Sequence, residues 1–227
     1  MDRLPTGCAA LDNVLKGGFR TGEVSLIYGE ASTGKTTLAL SCVLNHLRSD
    51  SWAKTYYIDS DQKLSTMRLT QVADGEDHLL ERLLIWKPRS FSEQTELIEG
   101  LHQLLPEGKT SIVVDTMTGM YRLEAGDSKK TFATNKELNR QLGFLSEAAK
   151  TKGAAILILG QVHSILGADP SQVEPVARRL LTYWSDVVLR LEPTSIKSVR
   201  QAAVEKPEAS GTCRFRLGEE GIKEVDD

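Results

Sequence analysis

Residues 29 to 36 of the chain read Gly29-Glu30-Ala31-Ser32-Thr33-Gly34-Lys35-Thr36. The run satisfies the pattern G-x-x-x-x-G-K-[ST] at each fixed position. Its flanks fit as well. Glu23 to Tyr28 is an apolar run of strand length, and Thr37 to Leu44 has a helical pattern with no breaker. A strand, a glycine loop and a helix suit the binding of phosphate. The glycines let backbone N–H groups turn inward, and the helix N-terminus adds partial positive charge. Lys35 is then placed to reach the β- and γ-phosphates of a nucleotide, and Thr36 to hold Mg²⁺. The remaining loop positions, with Thr37, complete the cradle. A chain carrying this unit folds around a strand–loop–helix core, and the expected ligand is ATP with Mg²⁺.

Composition narrows the class. The 227 residues suit one α/β domain, expected to span 1–227 and large enough to bury its own core. A formal net charge of −3 and a pI near 5.9 exclude a basic field over the whole surface, so any nucleic-acid contact must be a local patch. Cys8, Cys42 and Cys213 are few, odd in number and far apart. They match no metal spacing and read as reduced thiols in a cytoplasmic protein. Met1 to Pro5 begins no signal peptide, and the apolar run Ala154 to Leu159 is too short to span a bilayer.

Strand-like runs recur at Glu23–Tyr28, Thr55–Asp59, Leu83–Trp86, Ser111–Asp115, Ala154–Gly160 and Val187–Leu191. Helical patterns lie between them, including Ser92–Leu105 and Lys136–Lys150. This alternation predicts a mainly parallel sheet with helices on both faces. Beyond Leu191 the runs Ser198–Glu205 and Thr212–Leu217 alternate apolar and polar residues across a turn at Pro207–Gly211, which predicts an antiparallel extension at one edge. Asp115 ends a buried strand and is placed to share the magnesium shell with Thr36. Asp59 and Asp61 follow a second strand, where ligands of open α/β sheets sit. Asp61 is the candidate for orienting the water that attacks the γ-phosphate. Gln161, just after the strand ending at Gly160, is the candidate γ-phosphate sensor; as isolated residues both also fit plain turns or caps.

With these residues in hand, the chain resembles the RecA/RadA recombinase family. Leu4-Pro5-Thr6-Gly7 through Leu11-Asp12 and Gly17-Gly18 is similar to the stretch that leads into the family's phosphate loop. Ile58-Asp59-Ser60-Asp61 through Arg68-Leu69 resembles the segment carrying the catalytic glutamate and an arginine that stacks on adenine. Val113 to Arg122 looks like the magnesium-binding strand and its continuation, and Gly160-Gln161-Val162 like the γ-phosphate switch. The resemblance runs from about Arg3 to Lys223. It is greatest to the short archaeal paralogues of RadA, which lack an N-terminal helix-hairpin-helix domain, and Leu181 to Ser185 shares it. It implies a RecA-like P-loop ATPase core that binds ATP, hydrolyses it feebly and assists a RadA recombinase on single-stranded DNA in repair and homologous recombination. Other repair or replication proteins, or a second copy in a homodimer, are further partners under this reading.

The chain departs from the family in places that matter. Asp61 stands where the recombinases have glutamate, which withdraws the carboxylate by about 1 Å and predicts slow hydrolysis. Lys129-Lys130 falls at the first DNA-binding loop, after the polar stretch Glu124 to Asp127. Arg178-Arg179 replaces paired glycines after the second. Both pairs are DNA-binding candidates and fit solvated surface equally well. Lys197 and Arg200 are further candidates, while Lys206 is the one basic residue beside Pro207. Asp169, Glu174 and the tail Glu224–Asp227 oppose DNA binding. Tyr183 and Trp184 can stack on bases, yet their place beside a buried strand favours a core role. The rival reading is a KaiC-like regulatory ATPase that acts through protein contacts without DNA. A third is a nucleotide-gated module in which ATP orders the loop after Gln161 and exposes a surface for RadA.

Overall fold

The computed structural model describes residues 3–106, 109–164, 173–207 and 211–225. Asp169, the last two residues of the acidic tail and most of the segment beyond Ser164 lie outside the described residues. Along the chain run β1 (Arg3–Leu4), α1 (Ala9–Val14), β2 (Phe19–Arg20), β3 (Val24–Gly29), α2 (Lys35–Ser49), β4 (Lys54–Asp59), α3 (Thr66–Ala73), β5 (Leu83–Trp86) and α4 (Phe91–Leu104). There follow β6 (Thr110–Asp115), α5 (Gly119–Glu124), α6 (Ser128–Lys152), β7 (Ala155–Gly160), β8 (Val162–Ser164), β9 (Val173–Pro175), α7 (Arg178–Trp184), β10 (Val187–Pro193), β11 (Val199–Lys206), β12 (Gly211–Gly218) and β13 (Gly221–Lys223).

The apolar runs assemble into a nine-stranded sheet of order β13-β12-β11-β10-β3-β7-β6-β4-β5. From β10 to β5 the neighbours are parallel, and β10 to β13 pair antiparallel. This is the RecA-like α/β class expected, with its antiparallel extension. The central strands β3, β6 and β7 are buried along their whole length, which requires cover on both faces. Successive side chains point to opposite sides, so Leu26 and Ile27 enter different cores. On one face Leu11 of α1, Leu38 and Leu47 of α2 and Val72 of α3 pack on Ile27, Tyr57, Val113 and Phe215. On the other, Ile98 of α4, Leu138 and Leu142 of α6 and Leu181 of α7 pack on Leu26, Ile58, Val114 and Val188. The carboxyl ends of the parallel strands therefore open along one rim.

Two expectations need correction. The helix expected at 136–150 begins at Ser128, so Lys129 and Lys130 stand on its first turn and not in a loop. Asp127 is the reason: its Oδ1 accepts the Lys130 amide at 2.9 Å and closes the helix start. Those early turns carry no apolar stripe, and Phe132 there is 74% exposed. Tyr183 is not a core residue but is 75% exposed, whereas Trp184 packs against the second core and donates through Nε1 to Asn139 Oδ1 at 2.9 Å.

One buried group makes stability depend on pH. His46 of α2 lies beneath the sheet with Nδ1 3.1 Å from Ser111 Oγ, which itself meets Thr55 Oγ1 at 2.7 Å. Burial pushes its pKa down to about 4, with Asp50 opposing the shift in part. The unfolded imidazole takes its proton near pH 6.5 and the folded one resists, so the unfolded chain binds more protons between the two values. That share of stability is complete above pH 6.5 and is lost as pH falls toward 4. In urea unfolding at pH 7 and pH 4.5, wild type is expected to lose roughly 2 kcal/mol more than His46→Gln. Equal losses would show that the imidazole is not held neutral.

Candidate functional site

The phosphate-loop sequence joins β3 to α2, with Lys35 the first helical residue. Gly34 is the N-cap in the left-handed region at φ +93°, and a Cβ there would lie 2.5 Å from Leu217 Cδ2. The positive φ is what calls for glycine, since the Leu217 methyls could move aside. Thr33 Oγ1 donates to Glu30 O at 2.9 Å, and Leu38 N donates to Gly34 O at 2.8 Å, which opens the helix. Lys35 folds back, its Nζ donating to Gly29 O at 2.8 Å and Glu30 O at 2.7 Å. Burial pushes the Lys35 pKa down, while Asp115 and Asp61 pull it up. Among the described residues its hydrogen bonds go to neutral carbonyls, with the two carboxylates farther off, an arrangement that an incoming anion completes.

Thr36 Oγ1 donates to Asp115 Oδ2 at 2.7 Å. Asp115 ends β6 in register with Asp59 at the end of β4. Tyr57, buried on β4, donates its hydroxyl to the same Asp115 oxygen at 2.7 Å. Burial pushes the Asp115 carboxyl up, and the Thr36 and Tyr57 bonds draw it down. Among the described residues no group of three or more His, Cys, Asp or Glu gathers to hold a metal. One carboxylate and one hydroxyl suit Mg²⁺ arriving with phosphate oxygens better than Mg²⁺ alone. Asp59 faces elsewhere, accepting Lys63 N at 3.1 Å and Leu64 N at 3.0 Å to shape the turn after β4.

Asp61 sits beside this pair. Gln161 Nε2 donates to Asp61 Oδ2 at 2.9 Å and Oδ1 at 3.3 Å, and Thr116 Oγ1 donates to Oδ1 at 3.1 Å. Gln161 Oε1 in turn accepts from Arg122 Nη1 at 3.0 Å. Lys35, Thr36, Asp61, Asp115 and Gln161 line one cavity of about 510 Å³. Sequence reasoning assigned no role to Arg122, Thr116 or Tyr57. Each stood inside a stretch read for other residues, and nothing in the spacing tells that Arg122 would meet Gln161 across the strand ends.

The other candidates lie apart. Arg68 on α3 donates through Nη2 to Thr37 Oγ1 at 3.0 Å and through Nη1 to Glu219 O at 2.7 Å, which fixes its plane beside the start of α2. Arg178 and Arg179 are exposed on the first turn of α7. Lys206 Nζ donates to Thr182 O at 3.1 Å and to Ser185 O, which holds the end of that helix. Lys197 is exposed, and Arg200 reaches the phosphate loop, its Nη2 donating to Ser32 O at 3.0 Å.

The Rad51 family model matches residues 1–225. A protein of Methanocaldococcus jannaschii named DNA repair and recombination protein RadB is 34% identical, over 95% of this chain and 100% of its own length. The proteins of the same name from Thermococcus onnurineus and Methanococcoides burtonii are 33% and 31% identical, the alignments covering 98% of this chain and 97% and 98% of theirs. A crystal structure of the RadB recombinase superposes with a TM-score of 0.82 at 31% identity, over 98% of this chain and 100% of that one. No helix among the described residues is long and apolar enough to cross a membrane. Matched by the family model over residues 1–225 and by these relatives over nearly its whole length, the chain belongs to the Rad51 family, in the group of the RadB proteins.

Proposed function

We propose that the chain binds ATP with Mg²⁺ at the rim of the parallel strands, hydrolyses it slowly, and serves DNA repair and homologous recombination as an accessory of a RadA recombinase on single-stranded DNA. The observation that carries the reading is the convergence on one cavity of Lys35 and Thr36 from α2, Asp61 from beyond β4, Asp115 from β6 and Gln161 from beyond β7. In this reading Lys35 and the amides of Glu30 to Thr37 hold the phosphates, and Thr36 with Asp115 holds Mg²⁺. When bound, the metal ion would offset the negative charge of the phosphates. Asp61 orients the attacking water, and Gln161 meets the γ-phosphate. Arg68, pinned in plane by Thr37 and Glu219, leaves a flat face for adenine. The family assignment favours this over the KaiC-like alternative.

For DNA, the proposal rests on Lys129 and Lys130 on α6 and on Arg178 and Arg179 on α7. Lys130 lies 3.5 Å from Glu124, so part of its charge is already answered. Tyr183, exposed on α7, supplies a ring for base stacking. Lys197 remains a peripheral candidate, and Arg200 is engaged at the phosphate loop. The test is fluorescence anisotropy of labelled single-stranded DNA over a salt series. The Arg178→Ala, Arg179→Ala double variant is expected to bind more weakly and to lower the slope of log K against log salt by about 1 to 1.5. Lys129→Ala with Lys130→Ala is expected to have a smaller effect. Absence of wild-type binding at low salt would contradict direct DNA contact and return weight to the protein-contact reading.

A further inference from the structure

We infer that Arg200 is a positioning residue of the phosphate loop, supplied by the antiparallel extension; the inference rests on reading that loop as the nucleotide site. By sequence Arg200 is one basic residue among several and belongs with the DNA candidates. In the fold it lies on β11, which is separated from β3 by β10. Its guanidinium nevertheless reaches the loop, with Nη2 3.0 Å and Nε 3.4 Å from Ser32 O. The other side of the fork is tied down, Nη1 donating to Lys197 O at 2.7 Å and Val199 O at 2.9 Å. The group is therefore held in place before any ligand arrives.

Ser32 is where such a clamp matters. It adopts φ +62°, a left-handed conformation that an L-residue keeps only when its surroundings over-determine it. The Ser32 carbonyl and the Thr33 N–H share one planar peptide unit and point in opposite directions. Fixing the carbonyl outward on Arg200 therefore turns the Thr33 N–H inward, where it now faces Glu30 O at 3.4 Å. An inward amide is what a phosphate cradle needs.

Other contacts place parts of the extension against the loop and the helix that follows it. A Cβ on Gly29 would lie 2.2 Å from Leu191 O of β10. Leu217 of β12 closes on Gly34, and Gly218 O at the end of β12 and Glu219 O just after it accept from Arg68, which also holds Thr37. Ile222 N of β13 donates to Ser41 Oγ on α2 at 3.3 Å. Arg200 is the one of these contacts that grips a loop carbonyl with a charged donor, the stronger kind of hydrogen bond.

The test compares Arg200→Ala and Arg200→Lys with Arg214→Ala, a control on the exposed part of β12. Amide exchange of residues 30–34 is measured without nucleotide, and affinities for ATP and ADP with Mg²⁺ are measured by titration. Arg200→Ala is expected to speed loop exchange and to weaken both nucleotides about tenfold, with turnover at saturating ATP changed less than about twofold. Arg200→Lys is expected to recover part of the affinity, and Arg214→Ala to match wild type. Loop exchange and affinity unchanged in Arg200→Ala would overturn the inference. If wild type itself binds no nucleotide, the ATP reading fails, and loop exchange alone still decides whether Arg200 orders the loop.

Discussion

Lys35→Ala is expected to reduce ATP affinity at least about a hundredfold while leaving the fold intact. The ammonium is the one side-chain cation built into the glycine loop, and among the described residues its hydrogen bonds go to the carbonyls of Gly29 and Glu30. An ion partly desolvated against neutral acceptors contributes little to stability and much to an arriving anion. Burial already presses its pKa down, so truncation removes a strained charge along with two hydrogen bonds. The melting temperature without nucleotide is therefore expected to stay within about 3 °C of wild type, whereas stabilisation by ATP disappears. Thermal unfolding with and without ATP and Mg²⁺ reads both quantities at once. A variant that unfolds early without ligand would show Lys35 to be structural, and one still stabilised by ATP would place the phosphates elsewhere.

Asp61→Glu is expected to raise ATP turnover by one to two orders of magnitude with affinity nearly unchanged. Asp61 is held from two sides, by Thr116 and by a Gln161 amide that Arg122 fixes. Asp61 lines the cavity that Lys35 and Asp115 also line, which is the placement the proposed role needs. Under the proposed role its shortfall is reach, since aspartate ends about 1 Å short of glutamate, and an error of that size costs on the order of a hundredfold. A change confined to kcat marks an interaction made in the transition state. Asp61→Asn, which keeps the length and removes the charge, is expected to lower turnover further. Phosphate release at saturating ATP measures both variants; if Asp61→Glu turns over no faster than wild type, Asp61 is not the water-orienting group.

Much of the molecule was legible in the sequence, and the illegible parts share a cause. Period-2 runs locate strands, and buried runs flanked by helical patterns imply parallel pairing, so eight of the nine strands of the sheet could be read within a few residues, while the three-residue edge strand β13 could not. Motif spacing brought Thr36 to Asp115 because both belong to one recurring arrangement. Contacts between distant segments leave no such trace. Gln161 and Asp61 meet across 100 residues, and Arg122 completes their network from the far side. Charge says nothing about direction, so Arg200 grouped with Lys197 by composition although its guanidinium turns to Ser32. Lys129 and Lys130 were misread as loop residues because the first turns of α6 stand off the core and carry no apolar stripe, the one local clue being the cap at Asp127. Tyr183 was misjudged because a short helix beside a buried strand hides one of two neighbouring rings and exposes the other.

On the proposed function Thr36, Asp115 and Lys35 form a magnesium-nucleotide site in which the metal ion arrives with the phosphates. The most direct test is calorimetric titration of the wild-type chain with ATP, in Mg²⁺ and again in chelator, beside titration with Mg²⁺ alone. One ATP per chain is expected in Mg²⁺, with binding weakened at least about tenfold in chelator and no heat from Mg²⁺ without nucleotide. ATP binding of equal strength with and without Mg²⁺, or no ATP binding at all, would contradict it.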